Sequence, residues 1–211
     1  MKALEVLRTR KSVRKFKAQA IPKEDIQELL SLATQAPSGK NAQNWHFVVV
    51  SNPETIQAMA KAVEDRADYL GQFAETDKDR KFLKMVKYFT VFRNAPTVVM
   101  MFASGYPASG LELLKASGAS SAEIHDLLRP APGIQNVAAA MENFLLAAHA
   151  KGYGGCWMTG PNFAAKEMVA AAGIDLPGFD FVCMTPLGIP EESAGISPPR
   201  KPLEEVITWI D

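Results

Sequence analysis

Cysteine and histidine are scarce in this chain, with two and three among 211 residues. Cys156 and Cys183, both in apolar surroundings, give no disulfide framework, and a reducing, cytoplasmic location is the expectation. His46, His125 and His149 are too widely spaced for a His-Glu-x-x-His or Cys-x-x-Cys pattern, so no metal site is expected. Long apolar runs are missing as well. None approaches the roughly 18 residues of a membrane span. The start, MKALEVLRTRKS, lacks the apolar stretch of a secretory signal. Net charge is zero, so no bulk field draws the molecule to a membrane or to nucleic acid, and neither is expected as a partner.

What is present is ordinary for a globular protein: 47% hydrophobic and 22% charged residues. The length suits one domain, 1–211, with a substantial core. Charge is uneven locally. Between Lys2 and Lys17 seven bases face one acid, Glu5, a place where an anion could sit.

Periodicity predicts a short helix over 2–8 and a second from Pro22, with Ile26, Leu29, Leu30 and Ala33 on one side, stopping before Pro37. A strand, WHFVVVS, follows. Pro53 opens a helix that turns Ile56, Met59, Ala60 and Val63 inward. Residues 65–94 are charged and partly helical. TVVMMFAS, 97–104, reads as a continuous buried strand. Residues 105–131, broken by Gly and Pro, read as an excursion from the core and a candidate lid. The helix of 133–152 carries a stripe of Ile134, Val137, Met141, Leu145 and Ala148, is nearly apolar all round, and is therefore expected to be buried. A short strand, GGCWMTG, a helix to Gly173, the strand FDFVCMTPLGIP and an extended tail complete the chain. The order is too irregular for βαβ alternation, which favours α+β.

Four segments carry groups with chemistry to offer. In RTRKSVRKF, Arg10, Lys11, Ser12 and Arg14 present donors that match phosphate oxygens; they equally suit the solvated end of a helix, where cations oppose the macrodipole. In QAPSGKNAQNW, Pro37, Ser38 and Gly39 allow close backbone approach, and Asn41 and Gln43 offer paired donors and acceptors for a flat heterocycle; an ordinary helix–strand connection is the alternative. GYGGCWMTG is not a dinucleotide fingerprint, because a helix precedes it and a strand follows. Gly152 and Gly154 read there as helix terminator and turn, while Trp157, Met158, Thr159 and Gly160 are either core or site. Arg200 and Lys201, in PPRKP, form a second basic point.

In this order the segments resemble the FMN-dependent nitroreductase family over nearly the whole chain. Arg10-Lys11-Ser12-Val13-Arg14 is similar to its Arg-Arg-Ser-x-Arg, APSGKNAQNWHF to its Ala-Pro-Ser-Gly-x-Asn-x-Gln-Pro-Trp, and GYGGCWMTGP to its Gly-x-Gly-x-x-Trp region. LGIP and PRKPLEEVI resemble its last strand and tail. Lys11 departs from the second arginine and loses its fork. Asn44 departs from the proline before Trp45, so a less rigid loop is expected.

The resemblance implies an α+β fold, a central antiparallel sheet wrapped by helices, in an intertwined homodimer with FMN at the interface. It implies that Arg10, Ser12 and Arg200 hold the FMN phosphate, assisted by Lys11 and the neighbouring Lys201. Arg14 would lie by the flavin N1 and C2 carbonyl edge. Pro37, Ser38 and Asn41 would frame the ring, and Trp157, Met158, Thr159 and Gly160 would lie against its other side. The implied reaction is ping-pong transfer of hydride from NADH or NADPH through flavin N5 to a small nitroaromatic or quinone acceptor. No side chain acts as acid or base in that scheme. Reductive dehalogenation, flavin fragmentation and non-catalytic FMN binding are the alternatives on the same scaffold.

Overall fold

The computed structural model describes residues 3–192 and 197–210. Met1, Lys2, Ser193 to Ile196 and Asp211 lie outside them, so the expected helix start at Lys2 and the last tail residue are not addressed. The helices are α1 (Ala3–Thr9), α2 (Lys23–Ala33), α3 (Pro53–Gly71), α4 (Asp77–Phe89), α5 (Leu111–Ala116), α6 (Ser121–Leu128), α7 (Pro132–Ala150) and α8 (Ala165–Ala171). The strands are β1 (Trp45–Val50), β2 (Thr97–Ser104), β3 (Gly154–Gly155) and β4 (Phe179–Gly188).

The four strands form one sheet in the order β1-β2-β4-β3, every pair antiparallel. Its side chains alternate between two apolar layers, as the pleat requires. Val99, Met101 and Ala103 of β2 pack with Leu29 of α2 and Val137, Met141 and Phe144 of α7. Val98, Met100 and Phe102 point the other way, onto Ile56, Met59 and Val63 of α3 and Met168 of α8. Helices on both faces explain why the interior strand β2 reads as an unbroken apolar run rather than an alternating one. This is the α+β, sheet-and-helix architecture expected.

Three details differ from the sequence reading. Ile134 belongs to the predicted stripe of α7 but is 43% exposed, because it sits in the first turn, past the sheet, beside Tyr106 and Leu128. The predicted strand GGCWMTG is short: only Gly154 and Gly155 pair regularly, and Met158 rejoins β4 through a single bridge to Met184. Gly152 does end α7 in the left-handed region, at φ 86°, but Gly154 is in β3, not in a turn.

After α1 the chain runs extended along the far end of the sheet. Val13 N–H donates to Gly155 O at 2.8 Å, and Lys17 N–H to Ile189 O at 2.9 Å. Val13 and Phe16 are buried against Ala95, so the exposed Ser12 and Arg14 between and beside them turn outward. The approach is close enough to specify glycine: a Cβ on Gly154 would lie 2.7 Å from the Val13 side chain.

Candidate active site

The N-terminal segment and the loop after β3 meet in an open groove of about 460 Å³. Arg14 forms one side. Cys156, Trp157, Met158, Thr159 and Gly160 form the floor, and Met85, Tyr88 and Phe89 of α4 the far wall. The chain bulges between the Gly155 and Met158 pairings, which turns Trp157 outward to 37% exposure and settles that it is not core. Gly160 lets α4 close on the floor, for its Cβ would lie 2.3 Å from the Phe89 ring. Aromatic contact holds that wall: Phe89 lies 5.8 Å from Phe82 and 6.1 Å from Phe163, ring centre to ring centre. Among the described residues Arg14 is the only charged residue lining the groove. The surface therefore suits a flat, largely apolar ring with an electron-rich edge.

Arg10 and Lys11 lie beyond Arg14, next to His149 at the end of α7. The His149 ring nitrogen Nε2 is 2.8 Å from Thr9 Oγ1, which fastens α1 to α7. Burial, then the charges of Arg10 and Lys11, hold the imidazole below its ordinary pKa. His149 would feel any anion gathered by those two cations, and nothing in its sequence spacing marked it.

Pro37, Ser38 and Asn41 lie elsewhere. Their loop joins the sheet where Ser104 N–H donates to Asn44 O at 2.8 Å, opposite Phe179. Gly155 instead faces Leu187. Those positions are about 26 Å apart along β4 at about 3.3 Å per residue. One chain thus brings Arg14 to residues 157–160, with Ser12 bridged to Gly155 just before them, and keeps Pro37, Ser38 and Asn41 at the other end of the sheet.

The loop is nonetheless built to hold a shape. Lys40, Asn41 and Gln43 all have positive φ, at 56°, 51° and 44°, conformations that cost energy for residues with side chains. Ser38 Oγ accepts from Gln43 N–H at 3.1 Å, and Asn41 Oδ1 accepts from Gln43 Nε2 at 3.2 Å. Gly39 N–H donates to Asn136 Oδ1 at 3.0 Å. Asn44, expected to loosen the loop, is buried and secures it: its Nδ2 donates to Ser104 O and Gly133 O, and its Oδ1 accepts from Asn136 Nδ2 at 2.8 Å. A side-chain amide replaces by hydrogen bonding the stiffness that proline would give through its ring. The excursion after β2 leans on this loop, since Lys40 Nζ donates to Pro107 O at 3.0 Å and rests over the Tyr106 ring.

Arg200 and Lys201 are exposed on the extended tail. Leu203, Val206, Trp209 and Ile210 follow, each more than 60% exposed. Cys156 and Cys183 are buried and unpaired with one another, and burial pushes the Cys183 thiol up to about 12. Among the described residues no group of three or more His, Cys, Asp or Glu side chains could hold a metal, and no helix is long and apolar enough to cross a membrane.

Similarity to known proteins bears on this arrangement. A BluB-like flavoprotein from Clostridium difficile 630 has 36% sequence identity and a TM-score of 0.93, over the full length of both chains. A nitroreductase with bound FMN from Desulfitobacterium hafniense DCB-2 shares the fold, with a TM-score of 0.70 at 22% identity and full coverage of both. An iodotyrosine deiodinase from Thermotoga neapolitana is 27% identical over 210 residues, 96% of this chain and 94% of its own. Relatives from Methanothermobacter thermautotrophicus and Archaeoglobus fulgidus are longer, and the match spans 60% and 66% of them. The Nitroreductase family model matches residues 7–189, and the chain belongs to the nitroreductase family.

Proposed function

We propose that the protein is an FMN-dependent oxidoreductase that works as a homodimer, drawing electrons from NADH or NADPH and delivering them to a nitroaromatic or quinone-type acceptor. The observation that carries this reading is the groove in which Arg14 faces the Trp157–Gly160 floor, beside the cationic Arg10–Lys11 segment. Its residues fit FMN: a broad apolar and aromatic floor for the ring, one guanidinium at its edge, and a cationic segment next to it for the phosphate. When bound, FMN supplies the two-electron chemistry.

The chain's own residues bind and orient. Arg10, Ser12 and Arg200, with Lys11 and Lys201, grip the phosphate, the arginines by paired N–H donors. Arg14 would hold the ring's electron-rich edge, where a cation would favour the reduced form. Met158, Thr159 and Gly160, with Trp157 beside them, would hold the ring. Pro37, Ser38 and Asn41 of the second protomer frame the opposite edge, which accounts for a preformed loop so far from Arg14 within one chain. The exposed apolar tail would be covered by that protomer. The excursion at 105–131, leaning on the same loop, acts as the lid over the acceptor.

The test is flavin content and turnover. Purified protein should be yellow and should consume NADH or NADPH with menadione or nitrofurazone as acceptor. Arg10→Ala or Arg200→Ala should each weaken FMN binding by about ten- to a hundred-fold, since a lost charge-assisted bond is worth about 1.5–3 kcal/mol. Unchanged flavin content in both variants would remove the phosphate roles. Flavin without nucleotide consumption would leave the binding reading and remove the enzymatic one.

A further inference from the structure

The far wall of the groove continues past its lining residues. In α4, Lys78, Lys81, Met85 and Tyr88 fall at spacings of three, four and three, which places them on one face of the helix. Met85 and Tyr88 line the groove. Lys81 and Lys78 extend the same face outward, about 10 Å and 15 Å from Tyr88 along the axis at about 1.5 Å per residue. Both are exposed, with Lys84 and Lys87 flanking.

The carboxylates of α4 are committed elsewhere. Asp77 accepts from Arg80 at 3.0 Å, and Asp79 closes the capping box with Thr76. Lys78 and Lys81 have no ion pair among the described residues. Lys87 stacks over the Tyr88 ring, 5.2 Å from its centre. The face therefore runs from an aromatic end inside the groove to a cationic end outside it.

We propose that Lys78 and Lys81 receive the phosphates of the pyridine dinucleotide while its nicotinamide enters the groove beside Tyr88, so that NADPH is preferred to NADH. The inference rests on the flavin-reduction reading above. A dinucleotide has the matching polarity: a flat ring at one end, then a ribose, then the anionic groups. NADPH carries one phosphate more than NADH, and lysines act on phosphate as point charges without needing a fork.

The experiment is steady-state kinetics of the FMN-loaded protein with each nucleotide and a fixed quinone acceptor, in low and in high salt. Wild type and the Lys78→Glu/Lys81→Glu variant are compared, with Lys81→Gln as a milder second variant. In low salt the wild-type KM should be lower for NADPH. Each exposed charge contributes about two- to five-fold. The double variant should therefore raise the NADPH KM by about ten-fold, the NADH KM by less, and act on KM rather than kcat. High salt should compress these differences. Unchanged nucleotide KM values in low salt, with flavin content intact, overturn the proposal and leave the flavin reading standing. A rise confined to the acceptor KM also overturns it, by assigning the cationic face to the acceptor. Failure of flavin-loaded wild type to oxidise either nucleotide overturns the flavin-reduction reading, and this inference with it.

Discussion

His149 shows how a single proton reports on the cationic end of the groove. Burial and the charges of Arg10 and Lys11 disfavour the imidazolium, so the folded-state pKa lies below the ordinary 6.5. The unfolded chain takes up the proton first as pH falls. Stability conferred by neutral His149 is thus complete above about pH 6.5 and is lost as pH drops through the lower folded value. His149→Gln should flatten the fall of the unfolding midpoint as pH drops below about 6.5. A phosphate held by Arg10 and Lys11 would cancel much of their repulsion. Adding FMN should therefore raise the His149 pKa, read from imidazole NMR shifts; an unmoved pKa in the flavin-loaded protein would put the phosphate elsewhere.

The loop and helix around Asn44 illustrate what an element needs to hold a strained shape. Three left-handed residues persist between Ser38 and Asn44 because the loop is tied to β2 through Ser104 and to α7 through Gly133 and Asn136. Asn44→Ala would strand the buried Asn136 amide and release that end of the loop. A cost of about 1–3 kcal/mol is expected, as for any buried polar group left unpaired. It should appear as a lower denaturant midpoint with unchanged slope. Elements of this kind were only half legible in the sequence. The amide-rich composition of 38–44 stood out, but Asn44 read as a loosening substitution, because its partner Asn136 is far away along the chain.

At the scale of the whole molecule, a single chain leaves its apolar tail uncovered. Leu203, Val206, Trp209 and Ile210 are exposed, with Trp209 at 77% and Ile210 at 94%. A run of large apolar groups left in water is the mark of an interface. Removing residues 197–211 should convert the proposed dimer to monomer by light scattering and strip the flavin, since the proposed phosphate ligand Arg200 leaves with the tail. A truncated protein that stays dimeric and yellow would confine the interface to the helical body and remove Arg200 from the phosphate site.

The strands, most helices and the paired apolar layers could be read from periodicity, because burial on two faces leaves a pattern in any chain that has it. The order of the basic, amide-rich and glycine-aromatic segments was also enough to place the family. Spacing could not say which of those segments meet. The crossing of Val13 over Gly154 brings Arg14 to Trp157, and the direction of β4 carries Pro37 and Asn41 to the opposite end of the sheet. The groove wall of Met85, Tyr88 and Phe89 was equally hidden, since amphipathic spacing tells which helix face is shared but not what stands opposite. Local sequence fixes what can be buried or bonded nearby. Contacts between distant segments are chosen by the packing of the whole chain, and this site is made almost entirely of them.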